Sequence, residues 1–404
     1  MKKVLSHLAL LTAIGLAAGG LGACGSSDDS STTSSSGSQG SSKGTVKVAL
    51  VADLTGLFAP FANTEAMSSY IDSVNAKGGV DGYKIDLKKY DSGSDPAKAV
   101  QAFRKAISDN PAGIISATFV ATPALPSVAQ SGIPAVGDGF AAGWTGRPTL
   151  FSVDGDVSTH LSNVYFMDLK KFAGATKIAL IGSARLRGDL LNLQRQAAGA
   201  GVQLVMKNFG QAEVLSSAEA LTIAQQIKRS GAQGVVSIGQ TGVPQLQEAL
   251  NQLGAKVTVL TTQFGPAKAS QNGLMYAAQW ATHYTEGNPG VTAYIAAMNK
   301  AGHAEATLDQ FPFGPFRWAQ AALLVEGGLK PAGSPFSHDA VVKALGGVKN
   351  FTANGLVPPA SFPKFQEVGT NCHSVMKVVD GKWKGVTSGP NPFVCGGPSL
   401  PNPE

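Results

Sequence analysis

The sequence predicts an α/β protein of two lobes, each a parallel β-sheet flanked by helices, and three observations carry that prediction. Apolar runs of strand length alternate with segments of helical spacing from Val46 onward. Residues 112–140 hold two such runs joined by a crossover with room for one short helix, which makes the two strands parallel. The strand candidates fall into two series of four or five, a pattern that fits two sheets better than one very wide sheet.

The stretch 112–140 organises the first series. Gly113-Ile114-Ile115-Ser116-Ala117 reads as a buried strand, followed by a loop from Thr118 to Ala121. A helix is expected over 123–130, with Thr122 placed to accept from its free N–H groups and Pro123 suited to its first turn. Ser131-Gly132 closes it, and Ile133-Pro134-Ala135-Val136 begins the next strand. Both loops then leave the same sheet edge, where ligands bind in open α/β sheets. Thr118-Phe119-Val120 and Asp138-Gly139-Phe140 are therefore the candidate lips of one cleft.

The remaining elements follow in order. Residues 46–52 form a β-rich run ending at Asp53-Leu54-Thr55-Gly56, and 63–76 carry helical spacing up to Gly78-Gly79. Residues 83–90 alternate apolar and polar, as a half-exposed edge strand does. Asp95-Pro96 opens a helix through Ile107, and 149–153 add one more strand. The second series has strands at 178–181, 202–205, 234–238 and 257–260, with helices near 188–198, 217–229 and 244–253. Beyond Trp280 the chain turns helical at 291–300 and 316–327, and Val375 to Val379 with Asp380-Gly381 reads as a late hairpin.

Composition narrows the function classes. Of 404 residues 43% are hydrophobic and 14% charged, which describes a protein with a substantial core. The formal charge of +6 falls to +4 without Lys2 and Lys3, too mild for a nucleic-acid partner, and no run interleaves cations with aromatics. Met1-Lys2-Lys3 and the apolar stretch 8–18 have the build of a secretory signal, too short for a good membrane span. Leu21-Gly22-Ala23-Cys24 resembles a bacterial lipobox, in which Cys24 is lipidated; an ordinary secretory signal with an incidental cysteine is the alternative. A Ser/Gly-rich tract over 24–44 cannot bury enough apolar surface to fold and reads as a tether. Cys372 and Cys395 then lie in an oxidising compartment, where a disulfide is favoured over a free pair.

Val48-Ala49-Leu50-Val51-Ala52-Asp53-Leu54-Thr55-Gly56, then Asn75-Ala76-Lys77-Gly78-Gly79-Val80-Asp81-Gly82, resemble the leucine/isoleucine/valine-binding family of type I periplasmic solute-binding proteins. Tyr90-Asp91-Ser92 with Pro96, Gly132-Ile133-Pro134, residues 351–359 and Asp380-Gly381-Lys382-Trp383 continue the resemblance over most of 45–390. It implies two Rossmann-like lobes joined by three crossovers, with 45–153 and 281–355 in one and 154–280 and 356–404 in the other. It also implies a ligand held in the cleft. Phe61 would stand over that ligand, with polar contacts for a carboxylate around Thr118 and Phe119 and around Phe140, Ala141 and Ala142, Asp138 and Gly139 sharing that lip. Ser183, Arg185, Gln240, Thr241, Gln263 and Phe264 would come from the second lobe, although Phe61 and Phe264 also fit a core and Arg185 a solvated loop.

Departures from the family pattern matter. Leu186-Arg187-Gly188 stands where amino-acid binders carry Tyr-Gly, and neutral Gln263 falls where an acid usually meets the ligand ammonium. An ammonium desolvated without a carboxylate is costly. Phe58, Phe61, Phe119, Phe140 and Phe264 point instead to an apolar or aromatic solute, with Asp138 the one acid able to restore an ammonium site.

Chemistry beyond binding has little support. Gly137-Asp138-Gly139-Phe140-Ala141-Ala142 matches a loose dinucleotide fingerprint, with Asp154 and Asp156 near the downstream acid, but Trp144 and Pro148 interrupt the helix a pyrophosphate needs. The glycines read as room at the lip or as a turn, and the two acids as turn or cap residues. No nucleophile elbow, H-E-x-x-H or C-x-x-C occurs, and the histidines lack metal-ligand spacing.

The expectation is a non-enzymatic, cofactor-free, monomeric lipoprotein on the outer face of a bacterial cytoplasmic membrane. It would pass a small organic solute to an ABC permease; a sensor subunit for a membrane receptor, or a secreted enzyme, is the alternative. Replacing the lipobox cysteine, Cys24→Ala, should abolish lipid modification. Intact-mass analysis of membrane fractions checks this, and a mature terminus other than Cys24 rejects the lipobox.

Overall fold

A strand with neighbours on both sides and helices on both faces must be apolar along its whole length. The C-terminal part of Gly44–Ala52 (β1) has that character, its last five residues all buried, in a computed structural model of the chain. The structure describes residues 42–139, 141–154, 163–184, 187–211, 214–240, 242–262, 267–278, 281–282, 287–303, 313–363 and 372–396. After β1 come the short helix Ala59–Ala62 (α1), Thr64–Ala76 (α2), strand Tyr83–Asp91 (β2) and helix Pro96–Ser108 (α3). Strand Gly113–Ala117 (β3), helix Leu125–Gln130 (α4) and strands Ala135–Gly137 (β4) and Leu150–Ser152 (β5) complete the series. The five strands form an all-parallel sheet in the order β2-β1-β3-β4-β5. The alternating strand β2 lies at its edge, as its pattern predicts.

The period of two sorts β1 between two cores. Val48, Leu50 and Ala52 pack with Met67 and Ile71 of α2. Ala49 and Val51 pack with Phe103 of α3 and Leu125 and Val128 of α4. Asp95 caps α3, its side chain accepting from Lys98 N at 2.8 Å, with Pro96 in the first turn. Thr122 does not cap α4, which starts at Leu125 after an uncapped Ala124.

A second set comprises helix Val164–Ala173 (α5), strand Lys177–Ser183 (β6), helix Arg187–Gln196 (α6), strand Gln203–Gln211 (β7), helix Ser217–Ser230 (α7) and strand Gly234–Ile238 (β8). It continues with helix Val243–Gln252 (α8) and strands Thr258–Thr261 (β9) and Met275–Ala278 (β10). β6 to β10 pair in parallel. Ile178 and Leu180 of β6 face Phe166, Leu190 and Leu193, while Ala179 and Ile181 face Ile223, Ile227, Leu246 and Leu250. A Ser216–Glu219 capping box fixes the start of α7.

Helices Pro289–Lys300 (α9) and Gly314–Ala322 (α10) return to the first core through Tyr294, Met298 and Phe316. α10 runs into a π-helical stretch, Leu323–Leu329, followed by Lys330–Ala332 (α11) and His338–Gly346 (α12). The glycines of the π stretch let it pack closely on α12: a Cβ at Gly328 would lie 3.1 Å from Val341 Cγ1 and 3.2 Å from Leu345 Cγ. The first core also takes in Leu356, Val357, Ala360 and Phe362.

Strand Cys372–Val379 (β11) extends the second sheet antiparallel to β10, and Lys382–Gly385 (β12) and Val394–Cys395 (β13) pair antiparallel with β11. The β11–β12 turn is the expected Asp380-Gly381, both with positive φ (52° and 71°), the conformation a two-residue hairpin loop needs. Cys372 faces Cys395 across β11 and β13 and is bonded to it. The bridge spans 23 residues of sequence. Such a loop stabilises a fold by about 3 kcal/mol on the chain-entropy model. The double variant Cys372→Ser/Cys395→Ser should lower the urea midpoint accordingly; an unchanged midpoint would show that the hairpin needs no covalent tie.

Candidate functional site

The five parallel strands of the first lobe send their C-terminal loops to one edge, and a buried carboxylate ties three of those loops together. Asp53 follows β1 and is 0% exposed. Its Oδ1 accepts from Ser92 Oγ (2.6 Å), Thr118 Oγ1 (2.8 Å) and Ser94 N (3.1 Å), and its Oδ2 from Phe119 N (3.0 Å). Asp91 repeats the device nearer the surface, accepting from Leu54 N, Gly93 N and both the backbone and hydroxyl of Thr55. Partial burial raises its pKa, but these four donors outweigh that and the net shift is downward.

On this frame stands a collar of phenylalanines. Phe58 N donates to Ser94 Oγ at 2.9 Å, which fixes the start of α1. Asn63, in the left-handed region at φ 43°, donates to Pro60 O and accepts from Phe313 N at 2.8 Å. Phe61 and Phe313 are thereby held with ring centroids 5.9 Å apart, edge to face. Phe119 meets Phe58 at 5.2 Å, Phe313 at 5.9 Å and Phe61 at 6.2 Å. Phe61 is 39% exposed, and Leu57 beside it 78%. Side chains this apolar, left this open on a rigid rim, are suited to cover a hydrocarbon surface.

Under the collar lies a charged pair. Arg317 of α10 is fully buried, and its Nη1 donates to Asp138 Oδ2 (2.5 Å) and Gln320 Oε1 (2.9 Å). Its guanidinium carbon sits 5.6–5.9 Å from the ring centroids of Phe316, Phe119 and Phe313. Asp154, after β5, accepts from Ser152 Oγ (2.6 Å) and Gly139 N (2.9 Å). Burial, with the charge of Asp138 adding to it, pushes the Asp154 carboxyl up to about 8. Burial and the neighbouring Asp138 carboxylate thus both favour the neutral form of Asp154 beside the Arg317–Asp138 pair.

The predicted residues sort as follows. Phe61 and Phe119 stand in the collar. Thr118 lies at the edge but is 1% exposed and spends its hydroxyl on Asp53, as Phe119 spends its N–H, so neither donor of this lip faces outward. Gly139 N is taken by Asp154, and Ala141 is buried in the core beside Trp144 and Leu125. Asp138 is 1% exposed and bound to Arg317, so the acid expected to serve an ammonium has its charge matched inside the lobe. Gly137 makes room for Trp144, whose ring a Cβ would meet at 2.1 Å, and needs no pyrophosphate to explain it. Ser183 and Gln240 are buried at the ends of β6 and β8, Gln240 accepting from Ser237 Oγ at 3.0 Å. Cys24, Phe140, Asp156, Arg185, Thr241, Gln263 and Phe264 lie outside the described residues.

Asp53, Asn63, Phe313, Arg317 and Gln320 escape the sequence reading. Arg317 had a signal: it is the lone charge between Phe311 and Val325, and a charge in an apolar helix is buried only with a partner. Among the described residues no cluster of three or more His, Cys, Asp or Glu could hold a metal ion, and no helix is long and apolar enough to cross a membrane.

The raised pKa of Asp154 has a consequence for stability. Its folded value of about 8 exceeds the ordinary carboxylate value near 4, so its contribution is complete below about pH 4 and is lost as pH rises towards 8. Asp154→Asn keeps the acceptor for Gly139 and Ser152 and removes the ionisation. The variant should gain thermal stability relative to the wild type as pH rises through this window; parallel profiles would show that Asp154 is ionised throughout.

Comparison with known proteins matches this architecture. A family model described as periplasmic binding protein matches residues 45–382. The Leu/Ile/Val-binding protein of Escherichia coli K12 is 35% identical over 66 residues, 16% of this chain and only 18% of that protein's length. A branched-chain amino acid ABC transporter structure from Thermus thermophilus with bound valine superposes with a TM-score of 0.65 at 16% identity, covering 86% of this chain and 96% of that one. A fatty acid ABC transporter substrate-binding protein from Thermomonospora curvata does so with a TM-score of 0.61 at 17% identity, over 89% and 93% of the two chains. At these identities the superpositions establish a shared fold, while the family model spans most of the sequence: the chain belongs to the periplasmic binding protein family.

Proposed function

We propose that this protein is the substrate-binding lipoprotein of an ABC importer. It captures a small organic solute with an apolar or aromatic body as its two lobes close, and hands it to membrane permease subunits. The observation that carries the ligand class is the collar of Phe58, Phe61, Phe119 and Phe313, part-exposed at the sheet edge where α/β proteins bind ligands. Its supports are rigid, so little ordering is left to oppose binding. The similar structures, one with bound valine and one from a fatty acid transporter, put different ligand chemistry on one fold, so the ligand is argued from the site and not from the fold. The anchor rests on the lipobox-like segment ending at Cys24 and on the polar tract after it.

Branched-chain amino acids fit the site poorly. Gln263 is neutral, and Asp138 already serves Arg317. Each charged hydrogen bond left unmade in a closed cleft costs about 1.5–3 kcal/mol. Calorimetry with leucine, isoleucine and valine should therefore show no binding at micromolar concentration. A thermal-shift screen of amino acids, aromatic acids, amides and polyols should instead find its hits among apolar and aromatic compounds. For such a hit, Phe61→Ala and Phe119→Ala should each weaken binding at least about tenfold. Tight leucine binding, or indifference to both substitutions, would reject the reading.

A further inference from the structure

Arg317 uses only part of its hydrogen-bonding capacity. A guanidinium has five N–H donors, of which the two on Nη1 serve Asp138 and Gln320. Among the described residues Nε and Nη2 have no hydrogen-bond partner, although the side chain is 0% exposed. The rings of Phe119, Phe313 and Phe316 hold the cation at 5.6–5.9 Å but offer no lone pair to its N–H groups. Those two nitrogens share one edge of the guanidinium, whose parallel N–H bonds match the two oxygens of a carboxylate.

The alternative donors at this sheet edge are already committed. Thr118 Oγ1 and Phe119 N, which the sequence offers for a ligand carboxylate, both donate to Asp53, and Gly139 N donates to Asp154. A ligand anion arriving here finds the β3-loop donors held by the internal Asp53 carboxylate, and the remaining donors of the Arg317 fork on α10. The guanidinium lies under the collar, since Phe119 and Phe313 contact both Arg317 and the exposed Phe61.

We propose that Arg317 selects apolar organic acids, its Nε–Nη2 edge taking the ligand carboxylate while Phe58, Phe61, Phe119 and Phe313 take the hydrocarbon. The assignment rests on the reading of the collar as the ligand's contact surface. The carboxylate reaches the fork as the rings of Phe119 and Phe61 swing aside, Phe61 being 39% exposed and Phe119 part-buried. Asp138 stays on Nη1, so the guanidinium bridges two carboxylates along different edges. Arg317 is a specificity determinant in this scheme, and the carboxamide of the same hydrocarbon is the discriminated ligand. The amide carries no charge and presents one acceptor where the fork wants two.

The test is calorimetry on the full chain in phospholipid nanodiscs with matched pairs, 3-phenylpropanoate against 3-phenylpropanamide and hexanoate against hexanamide. Each acid should bind about ten- to a hundredfold more tightly than its amide. Arg317→Lys keeps a cation for Asp138 but loses the fork, and should erase that preference, bringing the acid-to-amide affinity ratio close to one. If Arg317→Lys fails to fold, the neutral pair Arg317→Met/Asp138→Asn should show the same loss of preference. Equal affinity for acid and amide in the wild type, or a preference that survives either variant, overturns the role of Arg317. Binding of neither member of a pair at millimolar concentration overturns the acid class. Phe61→Ala separates the two readings: if it weakens acid and amide alike while the wild type shows no preference, the collar stands and only the Arg317 assignment falls.

Discussion

The first lobe depends on the Asp53 carboxylate. A buried carboxylate without partners would cost several kcal/mol, and here four donors from the loops after β2 and β3 surround it. Removing any loop from this arrangement would strand part of the charge, so the loops are fixed relative to one another as well as to the sheet. Asp91 does the same for the first turn after β1 at a more open position. A part-exposed apolar collar can persist on such a base because its backbone has little freedom to collapse inward.

The second constraint is the balance of charge beneath the collar. Arg317 and Asp138 neutralise one another, and burial with the charge of Asp138 pushes Asp154 towards its neutral form. Were Asp154 also ionised, the pocket would hold two anions for one cation in a low-dielectric interior. The site is therefore near neutrality while keeping an unpartnered donor edge on Arg317. Strength of binding then comes from the rings, and discrimination from the guanidinium.

The second lobe handles buried polarity differently. His373 Nδ1 lies 3.0 Å from Asp168 Oδ2, with both side chains fully buried and the Tyr165 ring 4.2 Å from the imidazole. Burial raises the pKa of Asp168 against the opposing pull of His373. This pair joins α5 to β11 next to the Cys372–Cys395 bond. Two tethers thus hold the antiparallel addition that the late C-terminal strands make to an otherwise parallel sheet.

The amino-acid sequence by itself determined the class of fold, the edge strand β2, the late Asp380-Gly381 hairpin and the cysteine pairing, because each follows from local signals: periodicity, turn chemistry and compartment. It also put the loops of Phe119 and Asp138 at one sheet edge, since the short crossover at 112–140 leaves both on that side, while Phe61 was suggested only by the family resemblance. Tertiary structure alone decided what those residues do there. Thr118 and Phe119 turned their donors to Asp53, 65 and 66 positions away, and Asp138 met Arg317 across 179 residues. Periodicity says which face a side chain takes, but hydrogen bonds between distant loops depend on where the folded chain brings them. Arg317 was readable as a lone charge in an apolar helix, and only packing against the collar shows which of its donors remain.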